Sequence, residues 1–142
     1  MSKTGRKVFL SYSTADREPV RKIADHLRES GFPIWDPEQE ILPGAEWAAL
    51  LQRALESALA VIVFVSPRAM ESRLVSWEIE YALGAKHLRG RLIPVILRPT
   101  KDAPWILKSL QPVRYESPAK TGQQIVQLLN QPVDAAQAKR SA

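Results

Sequence analysis

Ala60-Val61-Ile62-Val63-Phe64-Val65, followed by Ser66-Pro67, is the stretch that decides the fold. Every side chain in it is apolar and most are β-branched or aromatic. It therefore shows neither the alternation of a half-exposed strand nor the stripe of an amphipathic helix. A strand covered on both faces reads this way, and such strands belong to parallel sheets with helices above and below. Lys7 to Tyr12, Pro33 to Trp35 and Leu92 to Leu97 are shorter runs of the same kind, and helical spacing fills the intervals. Strands joined by single helices are parallel. The order β-α-β-α-β-α-β predicts an α/β chain: a three-layer sandwich with a central parallel sheet of four to five strands and helices on both faces.

The first helix carries Val20, Ile23, Ala24 and Leu27 at i, i+3, i+4 and i+7, opens on Ser13-x-x-Asp16 and stops at Gly31. The second follows Pro43-Gly44 with Ala48, Leu51, Ala54, Leu55 and Ala58 on one face, and the third runs from about Val75 to Leu88. Pro94 removes a ladder donor from the fourth run, which moves that strand toward an edge. Val113 to Tyr115 supplies a short fifth strand and Gly122 to Leu129 a last helix built on Ile125, Val126, Leu128 and Leu129. The domain so delimited is 7–130, between a basic N-terminal tail, 1–6, and a flexible tail or linker, 131–142.

Composition narrows the function. The 142 residues suit one globular domain. Without cysteine there are no disulfides, thiolate metal sites or thiol nucleophiles, which leaves oxygen and nitrogen side chains for any chemistry. Apolar runs such as Leu59 to Val65 are far short of the ~20 residues that cross a bilayer, and Met1 to Lys7 lacks the apolar centre of a signal peptide. A soluble, cytoplasmic protein with no membrane partner is expected. The net charge of +5 hints at nucleic acid, but Lys3, Arg6, Lys7, Lys139 and Arg140 lie at the ends, and residues 8 to 130 carry 15 basic and 14 acidic side chains. No nucleic-acid partner is expected from so balanced a domain. Within it the signs separate. Asp36, Glu38, Glu40 and Glu46 crowd one loop; Lys86, Arg89, Arg91, Arg98 and Lys101 crowd another region.

Open α/β sheets bind ligands beyond the carboxyl ends of their strands. Three loops lie there: Ser11 to Asp16, Asp36 to Trp47 and Ser66 to Ser76. The middle one exceeds the about 2 to 6 residues of an ordinary join, which suits a lid or interface element, the alternative being a surface insertion. The glycines form neither G-x-G-x-x-G nor G-x-x-x-x-G-K-[ST], and a third strand ending Val65-Ser66-Pro67 lacks the acceptor aspartate of a phosphorelay receiver. His26 and His87 have no acidic pair beside them and read as solvated helix residues. No metal site is expected.

Motifs in these loops resemble the Toll/interleukin-1 receptor (TIR) domain of the bacterial type. Val8-Phe9-Leu10-Ser11-Tyr12-Ser13-Thr14-Ala15-Asp16 is similar to the family's opening strand and turn. Gly31-Phe32-Pro33-Ile34-Trp35-Asp36, leading to Ile41-Leu42-Pro43-Gly44-Ala45-Glu46-Trp47, is similar to its second strand and long second loop. Ala60 to Pro67, Ser72 through Glu78-Ile79-Glu80-Tyr81-Ala82-Leu83, and Arg91 to Leu97 follow in matching order. The resemblance implies the flavodoxin-like sheet order 2-1-3-4-5 and accommodates Pro94. It implies two alternatives for function. One is an NAD+ hydrolase, active on self-assembly in bacterial immune or cell-death signalling, that releases nicotinamide and ADP-ribose or a cyclised ADP-ribose. The other is a non-enzymatic adaptor that works through TIR–TIR contacts. NAD+ is then a substrate and no resident cofactor is implied; the partners implied are further copies of the chain, as dimer or filament, and a sensor domain or partner protein.

The family's catalytic glutamate lies early in the third helix, and the match puts it at Glu78. Leu74 stands where the family has tryptophan, so Trp77 is a substitute and Glu80 the alternative glutamate. With Val75, Ile79, Ala82 and Leu83 as the buried stripe, Glu78 falls about 85° from its centre and Glu80 about 115°. Glu78 is then a boundary residue and the better candidate. Ser11, Tyr12, Ser13, Asp36, Gly44 and Trp47 are the candidate substrate-binding residues, Asp36 for the cationic nicotinamide end and Trp47 for its ring face. Arg17, Arg73 or a basic group from another chain would meet the phosphates. Leu74, Trp77, Tyr81 and Leu88 make a second apolar face on the third helix, the candidate interface. Head-to-tail assembly would set the acidic loop of one copy against the Lys86 to Lys101 region of the next.

Overall fold

The computed structural model describes residues 6–132, so the tails expected at 1–6 and 131–142 lie almost wholly outside the described residues. Strands β1 (Val8–Ser11), β2 (Ile34–Trp35), β3 (Ala60–Val65), β4 (Leu92–Ile96) and β5 (Val113–Arg114) pair in parallel in the order β2-β1-β3-β4-β5. The helices are α1 (Arg17–Glu29), α2 (Pro37–Glu40), α3 (Trp47–Glu56), α4 (Pro67–Glu71), α5 (Arg73–Gly84), α6 (Trp105–Ser109) and α7 (Pro118–Leu129). This is the expected flavodoxin-like sandwich. No helix among the described residues is long and apolar enough to cross a membrane.

β3 is buried at every position because it feeds two cores by turns. Ile62 and Phe64 join Val8, Leu10, α1 and α7 on one face; Val61, Val63 and Val65 join Phe9, Leu51, Leu55, Val75 and Ile79 on the other. α1 stops where Gly31 takes φ 94°, with Gly31 N–H donating to Arg28 O and Phe32 N–H to Leu27 O. That is a Schellman closure, which favours glycine at the left-handed position. Pro94 lies one strand in from the β5 edge. Leu97 N–H bonds β3 and the Ile96 carbonyl accepts from Tyr115, so by alternation Pro94 faces β5, whose ladder covers Val95 and Ile96 alone. Its missing donor is thus not needed.

Three differences from the sequence reading have physical causes. The third helix ends at Gly84, not Leu88, because Ala85 is extended (φ −88°, ψ 123°) and a 3-10 turn, Lys86–Leu88, follows. Leu88 therefore leaves the helical register and enters the core, while Leu83 is exposed. The last helix starts earlier, at Pro118, with Ser117 accepting from Lys120 N–H. Finally, α2 and α4 were not expected as helices. Asp36-Pro37 and Ser66-Pro67 each pair a side-chain cap with a proline at the first helical turn, as Ser117-Pro118 does.

Candidate functional site

Alternation along β1 sends Val8 and Leu10 to the α1 face and Phe9 and Ser11 to the α5 face. The Ser11 hydroxyl meets Glu78 there and donates to its Oε1 at 2.6 Å. Glu78 is 2% exposed, which corrects the boundary placement. The stripe of α5 that faces the sheet is Val75, Glu78, Ile79 and Ala82, at i, i+3, i+4 and i+7, so the carboxylate occupies an apolar slot. Its Oε2 is buried with no hydrogen-bond partner. Burial pushes the carboxyl up to about 7, against the opposing pull of the Ser11 hydrogen bond. Glu80, two residues on, is exposed.

The neighbouring loop holds a second buried carboxylate. Asp36 Oδ1 accepts from the Tyr12 hydroxyl at 2.6 Å and from Glu38 N–H at 3.0 Å, capping α2. Burial, and then the Asp36 contact, raise the Tyr12 phenol above its usual range and hold it protonated. Glu38 takes Arg17 at 2.6 and 2.8 Å and lies 3.4 Å from Arg21, and Glu40 lies 3.7 Å from Lys7. The Arg17 hydrogen bonds hold the Glu38 carboxyl low, and Glu38 raises Arg17 in return. Asp36 is thus turned inward and occupied, and Arg17 is engaged within the chain; neither stands ready for a substrate charge. The acidic loop is answered by the α1 side of its own domain.

The remaining candidates separate by role. Ser13 accepts from Ala15 N–H at 3.2 Å and caps the 3-10 turn before α1. Gly44 is exposed in a turn at φ 84°, with open space where a Cβ would stand. Trp47, expected at the substrate, and Leu74 and Trp77, expected at an interface, line one groove of about 440 Å3 together with Leu51 and Arg73. Trp47, Leu74 and Trp77 are 54%, 39% and 43% exposed. Tyr81 is half-buried, its ring 6.3 Å from that of Trp77. Leu88 is absent from this face.

The basic region is also partly engaged. Arg91 donates to Leu128 O, Leu129 O and Gln131 O, closing the end of α7, and Arg98 lies 3.6 Å from Asp16, which accepts the Ser66 hydroxyl. His87 Nε2 sits 3.0 Å from Leu55 O, and His26 is half-buried against Gly122, where an added Cβ would come within 2.8 Å of His26 Cβ. His26 thus has a packing role, while His87 is exposed, as expected, and touches the end of α3. The sequence reading passed over Trp105 on α6, which is 75% exposed.

Residues 8–129 match the family model described as TIR domain. The chain is 28% identical over 131 residues to a Stimulator of interferon genes protein of Magallana gigas, covering 89% of this chain and 32% of that protein. It is 28% identical over 97 residues to the 2′ cyclic ADP-D-ribose synthase BtTIR of Bacteroides thetaiotaomicron, covering 66% of this chain and 33% of that one. The chain thus spans about a third of the length of these curated relatives. Among solved structures, a TIR-STING receptor from C. gigas in complex with 2′,3′-cGAMP superposes with a TM-score of 0.74 at 26% identity, over 88% of this chain and 39% of that one. The TIR domain of the Toll-related receptor TRR-2 of Hydra magnipapillata superposes at 0.65 and 22% identity, over 76% and 82%.

Proposed function

The chain belongs to the TIR domain family, and from that premise we propose that it cleaves the nicotinamide–ribose bond of NAD+ with Glu78 as the catalytic carboxylate. The observation that carries the reading is Glu78 itself: a buried carboxylate with one oxygen unpartnered, at the carboxyl end of β1. Departure of neutral nicotinamide leaves an oxocarbenium-like ribose, as in glycoside hydrolysis. An ionised carboxylate ~4 Å away stabilises that cation by about 4 kcal/mol at an effective dielectric near 20, on the order of a thousandfold in rate. Water attack at the same carbon, with loss of a proton, gives ADP-ribose; attack by one of the molecule's own hydroxyls gives a cyclised product. The similarity to a 2′ cyclic ADP-D-ribose synthase supports this chemistry.

Glu78 has to become accessible and ionised for this, and the groove beside it is lined by Trp47, Leu74 and Trp77 but not by Glu78. Seating a second copy on that exposed groove is the step we assign to activation, in keeping with a role in bacterial immune or cell-death signalling. The same observation favours a second reading, a non-enzymatic interaction module that uses the groove alone. Incubating concentrated protein with NAD+ and measuring nicotinamide decides between them. Release that is lost in Glu78→Ala and kept in Glu80→Ala supports the enzyme. No release at any protein concentration, with light scattering that falls in Trp77→Ala, supports the module.

A further inference from the structure

β3, β4 and β5 end at Val65, Ile96 and Arg114 on the carboxyl edge of the sheet, and α6 lies between the last two strands. A cavity of about 300 Å3 opens among these ends. Val65, Ile96 and Ala103 give it an apolar floor, and Thr100, Lys108 and Arg114 line it with polar groups. No acidic side chain lines it, and among the described residues neither Lys108 nor Arg114 forms an ion pair. Two other cations of this edge are engaged: Arg17 meets Glu38 and Arg98 meets Asp16. The Thr100 hydroxyl already donates to Arg98 O at 2.9 Å, so Lys108 and Arg114 supply the remaining side-chain donors among the lining residues.

Two cations around one small cavity with an apolar floor create a positive potential that an anion relieves. The cavity lies at the lower end of the range of ligand pockets, about 300–1,000 Å3, and so suits a headgroup rather than a whole dinucleotide. A guanidinium fork matches two oxygens of a phosphoryl group, and an ammonium adds a point charge to a third. We propose that this cavity is a phosphate-binding site in which Arg114 of β5 and Lys108 of α6 hold one phosphoryl group, free or as part of a nucleotide. It is distinct from the Ser11–Glu78 contact and stands whether or not the chain cleaves NAD+.

The test is titration of the full chain with pyrophosphate and, separately, with ADP-ribose, followed through backbone amide chemical shifts. Saturable shifts at Thr100, Ala103, Lys108 and Arg114 are expected, with affinity about tenfold weaker in Arg114→Gln and again in Lys108→Gln. Both side chains are exposed, so these variants should keep the wild-type spectrum elsewhere. Tighter binding of ADP-ribose identifies a nucleotide as the source of the phosphate; equal or weaker binding identifies free phosphate. Absence of saturable shifts at millimolar ligand, shifts centred on other residues, or unchanged affinity in both variants overturns the proposal.

Discussion

Glu78 and Asp36 are both buried carboxylates near the carboxyl edge of one sheet, and the fold treats them in opposite ways. Asp36 receives the Tyr12 hydroxyl and the Glu38 N–H, and in doing so starts a helix. Glu78 receives one donor, Ser11, and its second oxygen has none. A buried polar atom left unpaired costs about 1–3 kcal/mol. Burial therefore does not by itself mark a reactive carboxylate. The mark is burial that the surrounding residues leave incompletely compensated, a local rule broken where function would gain from it.

The contrast can be broken most directly at Glu78. Nicotinamide release should fall about a thousandfold in Glu78→Ala; release within tenfold of wild type would remove Glu78 from the reaction. Stability should move the other way. The folded carboxyl titrates at about 7 and the unfolded one at 4.5. The contribution of Glu78 is therefore intact below pH 4.5 and lost as pH rises through 7. Glu78→Gln should match wild type in urea unfolding at acidic pH and exceed it by about 3 kcal/mol at pH 8. A constant difference across that window would mean that the buried carboxyl is not raised.

Asp36→Ala should instead destabilise, by about 2 kcal/mol, because it orphans the Tyr12 hydroxyl and uncaps α2. Equal unfolding midpoints would erase the distinction between the two carboxylates. The smallest effect sharpens it. Ser11 opposes the rise of the Glu78 carboxyl, so Ser11→Ala should move the pH midpoint of the Glu78→Gln stability difference upward; an unmoved midpoint would show that the hydrogen bond does not tune it.

The layered sheet is legible in the sequence because β3 is apolar at every position and β1 and β4 repeat the pattern. What is less legible depends on contacts far apart in the chain. Nothing near Glu38 announces Arg17, and nothing near Asp36 announces Tyr12, so the second loop reads as free negative charge when its own domain neutralises much of it. The burial of Glu78 is legible in the core spacing of Val75, Glu78, Ile79 and Ala82, but a stripe that includes the exposed Leu83 has its centre turned away from the glutamate. Leu88 reads as part of the third helix because the stop at Gly84 has no proline to announce it. Trp105 gives no signal in the sequence, since its five-residue helix is too short to show a period.

Arg91 has a consequence for handling the molecule. Burial first, and the charge of Arg6 second, lower its guanidinium, so the two arginines are neighbours. Arg6 reaches Ser57 O and Ala58 O, and Arg91 reaches Gln131 O. Both ends of the described chain therefore emerge at the amino pole of the sheet, with Glu78 toward the opposite pole. A fluorescent label carried at Gln131 would therefore report on the amino pole, on the side of the sheet away from Glu78.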